Sequence, residues 1–140
     1  MDIVNVGELQ TSMDLKAFAS MIYDYFEIVE GVFQRFNCFK VQILADTIVF
    51  GSGMGEYHAV DFVAELTFAA LEIQNIICEK NQDEKNDFNI HLRLGMHMGS
   101  CNGKMLHLQV PRMLIFGQLP KILSLIHAYS LRKFLFYFLF

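Results

Sequence analysis

The apolar residues of this chain change their repeat several times, and the order of those changes is its strongest constraint. Over 12–36, Leu15, Phe18, Ile22, Phe26, Val29 and Phe33 recur at steps of three and four, which puts them on one side of an amphipathic helix. Gly31 weakens the last turn of that helix. From 38 to 53 the repeat drops to two, with Phe39, Val41 and Ile43 on one face and Ile48, Val49 and Phe50 beyond a break at Ala45-Asp46-Thr47. That pattern predicts two strands joined by a tight hairpin turn. A second helix is predicted over 57–79, where Ala59, Phe62, Val63, Leu66, Ala70, Ile73 and Ile77 share a face. A charged, Asn-rich loop covers 79–87. Alternation returns at Phe88, Ile90, Leu92 and Leu94, a short strand follows over 113–116, and after Pro120 the stretch 122–131 reads as a helix with Leu123, Ile126 and His127 on one side. With Met1-Asp2-Ile3-Val4 as the tail of a first strand, the order is β-α-β-β-α-β-β-α, an α+β pattern built on hairpins.

A length of 140 residues allows one domain. Apolar residues make up 54% and charged residues 19%, which excludes disorder as the main state, because disorder needs low hydrophobicity and high charge. A net charge of −4 without a basic patch argues against nucleic acid as a partner. Cys38, Cys78 and Cys101 stand far apart without C-x-x-C spacing, so they read as reduced thiols rather than a zinc cluster or redox pair. His58, His91, His97 and His107 are scattered and lack metal-ligand spacing. Met1-Asp2-Ile3-Val4 has neither the basic nor the apolar region of a signal peptide. The apolar run 134–140 is far shorter than the roughly 20 residues that span a bilayer, so no transmembrane segment is expected.

Two carboxylates stand out by position: Asp2 at a strand end and Asp46 at the hairpin tip. An aspartate at a hairpin tip often serves turn geometry alone. Two aspartates at adjacent strand ends are also what a Mg²⁺ site uses, with the remaining positions left to water and phosphate.

Asp2-Ile3-Val4 and Phe39-Lys40-Val41-Gln42-Ile43-Leu44-Ala45-Asp46 resemble, at matching spacing, the D-I-V-G-F-T and Y-K-V-E-T-I-G-D motifs of the class III nucleotide cyclases. His58-Ala59 resembles the H-A that opens the family's second main helix. Leu92-Arg93-Leu94-Gly95-Met96-His97-Met98-Gly99 resembles its L-R-I-G-I-H-T-G, and Val110-Pro111-Arg112-Met113-Leu114-Ile115-Phe116-Gly117 its M-P-R-Y-C-L-F-G. The guanylate cyclase branch, with its soluble and receptor types, is the nearest in pattern. The resemblance implies a ferredoxin-like β-α-β-β-α-β core, here incomplete at both ends, with 1–130 as a partial catalytic domain and 131–140 as an apolar tail. It implies a homo- or heterodimer with another cyclase domain, sites at the subunit interface, and conversion of GTP to cyclic GMP and pyrophosphate with Mg²⁺ or Mn²⁺ in a two-metal site. It also implies a cytoplasmic location, the cytoplasmic part of a membrane-associated cyclase included.

Carried over residue by residue, Asp2 and Asp46 match the metal-binding aspartates, and Ile3 matches the position that offers a backbone carbonyl. Arg93 matches an arginine that touches the triphosphate in some members; as a residue it fits a strand-edge ion pair equally well. Lys40 reads as a solvated strand residue. The purine-reading positions are substituted: Gln42 stands for the guanine-reading Glu and Leu114 for the accompanying Cys, so the resemblance leaves the substrate as GTP or another purine nucleoside triphosphate. No catalytic residue is intact, since Lys121 stands for the ribose-orienting Asn and Leu125 for the transition-state Arg. Removing one oriented donor of this kind costs about 10²–10³ in rate. Ala45 replaces a hairpin glycine, and Lys104 and His107 replace glycines of a family loop, which predicts that this loop is remodelled. The expected reading is a guanylate-cyclase-like domain that keeps the metal half of a composite site and is inactive as an isolated homodimer. The alternative is a catalytically inactive cyclase-like interaction module or truncated product. Either way, the surplus of apolar residues predicts a chain that associates or depends on a partner.

Overall fold

The computed structural model describes residues 1–53, 61–83, 89–107, 109, 112–129 and 135–136. His58-Ala59, Phe88 and Val110-Pro111 lie outside the described residues, as does most of 131–140. The elements in order are β1 (Asp2–Ile3), α1 (Val6–Ser12), α2 (Leu15–Arg35), β2 (Phe39–Leu44), β3 (Thr47–Gly51), α3 (Phe62–Gln82), β4 (Leu92–Arg93), β5 (Gly95–Met96), β6 (Asn102–Leu106), β7 (Arg112–Phe116), α4 (Gln118–Tyr129) and β8 (Leu135–Phe136). The chain divides into two compact units: one formed by Met1–Asp2, Lys40–Phe50 and Leu92–Phe140, the other by Ile3–Phe39 and Gly51–His91.

The second of these units is helical. Asp14 caps α2, its carboxylate accepting from the Ala17 amide at 2.8 Å, and Asp61 caps α3 through the Ala64 amide at 3.0 Å. Each cap satisfies an amide that the first helical turn leaves without a partner. The expected stripe of α2 is realised in part: Met21, Tyr25, Val29, Val32 and Phe33 are buried, so the buried side is turned from Phe18, Ile22 and Phe26. On α3 the buried face is Ala69, Ala70, Ile73 and Ile77, whereas Phe62, placed on that face by its spacing, is exposed. Side chains such as Val29, Val32 and Ile73, buried almost completely, each contribute about 1.5–3 kcal/mol of apolar transfer. Arg35 and Glu72 tie α2 to α3 at their exposed edge, 3.0 Å apart. Helix α1, with only Leu9 buried, is too short to show a periodic stripe and was not expected from spacing.

The other unit carries most of the strands. The β2–β3 hairpin turns at Ala45-Asp46 as expected, with Ala45 at φ 53°, in the left-handed region that favours glycine. Ile48 is fixed to Met1 by reciprocal backbone bonds, Ile48 N to Met1 O at 2.8 Å and Met1 N to Ile48 O at 3.1 Å. Strand β1 is hydrogen-bonded to β4. The segment predicted as a remodelled loop is instead strand β6, paired antiparallel with β7 so that Lys104 lies opposite Leu114 and Asn102 opposite Phe116. Cross-strand pairing compensates what the Asn-Gly-Lys-Met-Leu sequence lacks in alternation. Helix α4 begins at Gln118, before Pro120 and not after it, because a proline in the first turn has no intrahelical amide bond to lose. Strand β8, inside the segment read as an apolar tail, pairs parallel with β5 at Gly95↔Leu135 and Met96↔Phe136.

Candidate functional site

Strand β1 places Asp2 where its carboxylate is almost fully buried, and its neighbour Ile3 is buried as well. Pairing of β1 with β4 brings Arg93 to the same place. The Arg93 Nε donates to Asp2 Oδ1 at 3.1 Å and Nη2 to Oδ2 at 2.5 Å, a bidentate fork on both carboxylate oxygens. Asp2 is the more enclosed partner, with its side chain 9% exposed against 29% for Arg93. The Asp2 hydrogen bond raises the Arg93 pKa, burial opposes that shift, and the charges of Asp2 and Asp46 add to it. Asp46, half-buried at the hairpin tip, therefore lies within electrostatic reach of the same guanidinium.

The ion pair expected of Arg93 as a strand-edge residue is present, its fork holding Asp2. The remaining expected positions are spread over other elements of the same unit. Gln42 is exposed on β2, Leu114 is 38% exposed on β7, and Lys121 and Leu125 are exposed on α4. Lys40 is exposed, as expected of a strand-surface lysine.

Among the described residues there is no group of three or more His, Cys, Asp or Glu that could hold a metal ion. The hard-oxygen donors are the pair Asp2 and Asp46. A Mg²⁺ or Mn²⁺ ion that keeps its waters and shares a substrate phosphate needs no more than one or two carboxylates. Asp2 and Asp46 are hard-oxygen donors of the chemical type such an ion takes, and in this structure Asp2 holds a cation, the guanidinium of Arg93.

Periodicity did not single out two asparagines that hold the segment 89–91. Asn81, in the last turn of α3, accepts from the Ile90 amide at 3.0 Å and donates to the Ile90 carbonyl at 2.8 Å. Asn5 donates to the Asn89 carbonyl at 3.0 Å and accepts from the His91 amide at 3.2 Å. The Val4 amide donates to the His91 carbonyl at 2.8 Å. An amide side chain is suited to this because it offers a donor and an acceptor together, matching the two backbone groups of an unpaired segment. An asparagine near a predicted helix end, followed by a polar loop and a strand, is the available sequence signal.

Comparison with known proteins agrees with this architecture. The family model for the adenylate and guanylate cyclase catalytic domain matches residues 1–133. Guanylate cyclase 32E of Drosophila melanogaster is 23% identical over 116 residues, which is 83% of this chain and 10% of that protein. The chain thus spans about a tenth of the length of the curated relatives it matches. The dimeric guanylyl cyclase domain of the RhoGC fusion protein from the fungus Blastocladiella emersonii superposes with a TM-score of 0.79 at 18% identity, covering 92% of this chain and 70% of that one. The guanylate cyclase domain of RhGC from Catenaria anguillulae, solved in complex with GTP, gives 0.75 at 18% identity over 92% and 69%. The fold is the α+β cyclase core expected from the motifs, and this chain belongs to the adenylate and guanylate cyclase catalytic domain family.

Proposed function

We propose that this domain supplies the metal- and phosphate-binding half of a guanylate-cyclase-type site, and that a second cyclase domain supplies the purine and transition-state residues. The observation that carries this reading is the pairing of Asp2 with Arg93, with Asp46 acting on the same guanidinium, in a chain whose Lys121 and Leu125 replace the residues of the other half. The reaction is the attack of the ribose 3′-oxygen of GTP on the α-phosphorus. The 3′-O–P bond forms, the bond to the β-phosphate oxygen breaks, pyrophosphate leaves and the hydroxyl proton passes to solvent.

A divalent ion, when bound, would lower the cost of forming the 3′-alkoxide and neutralise the departing pyrophosphate. Asp2 and Asp46 would hold it. Arg93 offers a planar fork that suits a phosphate as well as a carboxylate. Gln42 is a neutral amide that lacks the two acceptor oxygens of a carboxylate for guanine's N1–H and N2–H₂, and Leu114 has no polar side-chain atom, so base reading falls to the partner. Leu125 cannot neutralise charge on the transferred phosphoryl group, which leaves every site of a homodimer without that stabilisation.

The similarity to guanylate cyclases, one of them solved with GTP, favours GTP as the substrate, and hard-oxygen donors such as Asp2 and Asp46 favour Mg²⁺ or Mn²⁺ as the ion. Among the described residues, no helix is long and apolar enough to cross a membrane. We place the domain in the cytoplasm, the compartment of its nucleotide substrate.

Co-expression with a complete guanylate cyclase domain tests this reading. Cyclic GMP formed from Mn²⁺ and GTP should exceed that of the partner alone and should fall to the partner's level with Asp46→Ala. No excess over the partner, or an excess that survives Asp46→Ala, would favour a non-catalytic interaction module.

A further inference from the structure

Asp2 is buried, and a buried carboxylate without a counter-charge is costly, so this position holds a cation whether or not metal is present. In the structure that cation is Arg93, bound through both oxygens. Arg93 is the more solvent-accessible partner, placing its guanidinium at the edge of the cluster, where it can leave. The charges of Asp2 and Asp46 both act on Arg93, and the Met1 amino group lies within reach of the same three charges.

From this geometry we infer that Arg93 is a tethered competitor for the divalent cation at Asp2, displaced when metal and nucleotide phosphate arrive together. This rests on the proposed cyclase reading and adds a coupling to it. Metal alone must break the Arg93 fork and leave a guanidinium unpaired. Metal with a polyphosphate replaces both halves of the pair, since the ion takes Asp2 and the phosphate takes Arg93. The two ligands therefore bind with positive cooperativity, and by linkage each strengthens the other equally. Arg93 acts here as a positioning residue that keeps the metal site closed until substrate is present.

The test is Mn²⁺ binding by the 140-residue chain, measured by electron paramagnetic resonance without turnover, for the wild type, Arg93→Gln and Asp46→Asn. Arg93→Gln should bind Mn²⁺ alone roughly tenfold more tightly, the equivalent of one lost charge-assisted hydrogen bond. In the wild type a non-cyclising GTP analogue should strengthen Mn²⁺ binding, and in Arg93→Gln that enhancement should disappear. A second measurement needs no substitution. In the wild-type chain the Arg93 Nε–H resonance should shift on titration with Mg²⁺ and the analogue together, and much less with Mg²⁺ alone.

Unchanged or weaker Mn²⁺ binding by Arg93→Gln, with binding still reduced by Asp46→Asn, would overturn the competition and leave the cyclase reading standing. An Arg93 Nε–H resonance that stays fixed with both ligands bound would overturn it too. Absence of Mn²⁺ binding in all three proteins would overturn the cyclase reading and the competition together.

Discussion

Arg93 grips both carboxylate oxygens of Asp2, so a residue matched to phosphate and a residue matched to metal meet each other in this chain. Breaking the pair from one side takes the bidentate counter-charge from a nearly buried carboxylate. Arg93→Met should lower stability by about 1–3 kcal/mol. The double change Asp2→Asn with Arg93→Met should recover most of that loss, because it removes the stranded charge. Urea unfolding midpoints of the single and double variants measure both effects. A loss in the double variant equal to the sum of the Asp2→Asn and Arg93→Met losses would show that the pair is not coupled.

Ala45 turns the hairpin that presents Asp46, and does so at φ 53°. An L-residue in that region carries a steric cost of about 1–2 kcal/mol that glycine does not. Ala45→Gly should therefore raise the thermal midpoint, with a gain of about 1 kcal/mol. Calorimetry reads the change, and a lowered midpoint would mean that the turn does not hold this conformation in solution.

Asn81 provides both partners for the backbone of Ile90. Asn81→Ala leaves that amide and carbonyl unpaired and should cost about 1–3 kcal/mol. The more specific readout is hydrogen exchange at the Ile90 amide, which should accelerate beyond what the global loss of stability explains.

Burial raises the Cys38 thiol to about 11, with the Glu65 charge adding to the shift. At pH 8 a thiol of that pKa is ionised in only about one molecule in a thousand, and the thiolate is the reactive form. Iodoacetamide at pH 8 should thus label the exposed Cys78 well before Cys38, as read by peptide mass spectrometry. The sign for stability follows. The folded state holds the Cys38 proton up to about pH 11, so stability falls as pH rises from the ordinary thiol range through that value.

Much of this architecture can be read from local pattern. The α2 helix and the hairpin at Ala45-Asp46 follow from apolar spacing and turn chemistry, and the motif positions lead to Asp2, Asp46 and Arg93. What escapes is whatever depends on pairing across the chain. Strand β6 has little alternation of its own and is defined by β7 opposite it. The ion pair of Arg93 with Asp2 depends on β4 lying beside β1, which no local repeat encodes. Asn5 acts on backbone groups far away in sequence and Asn81 on those of Ile90 across the polar segment that follows it, so their role becomes visible only when the segment 89–91 is in place.

The most direct test of the central claim uses a guanylate cyclase partner whose own metal-binding aspartates have been replaced by alanine, leaving its purine and transition-state residues intact. Neither that partner nor this chain alone should form cyclic GMP from Mn²⁺ and GTP. Mixed in equal amounts they should do so, and Asp2→Ala or Asp46→Ala in this chain should abolish the product. A mixture that stays silent while size-exclusion chromatography shows the two domains associated would contradict the account, and would leave this chain a cyclase-fold partner without a metal site of its own.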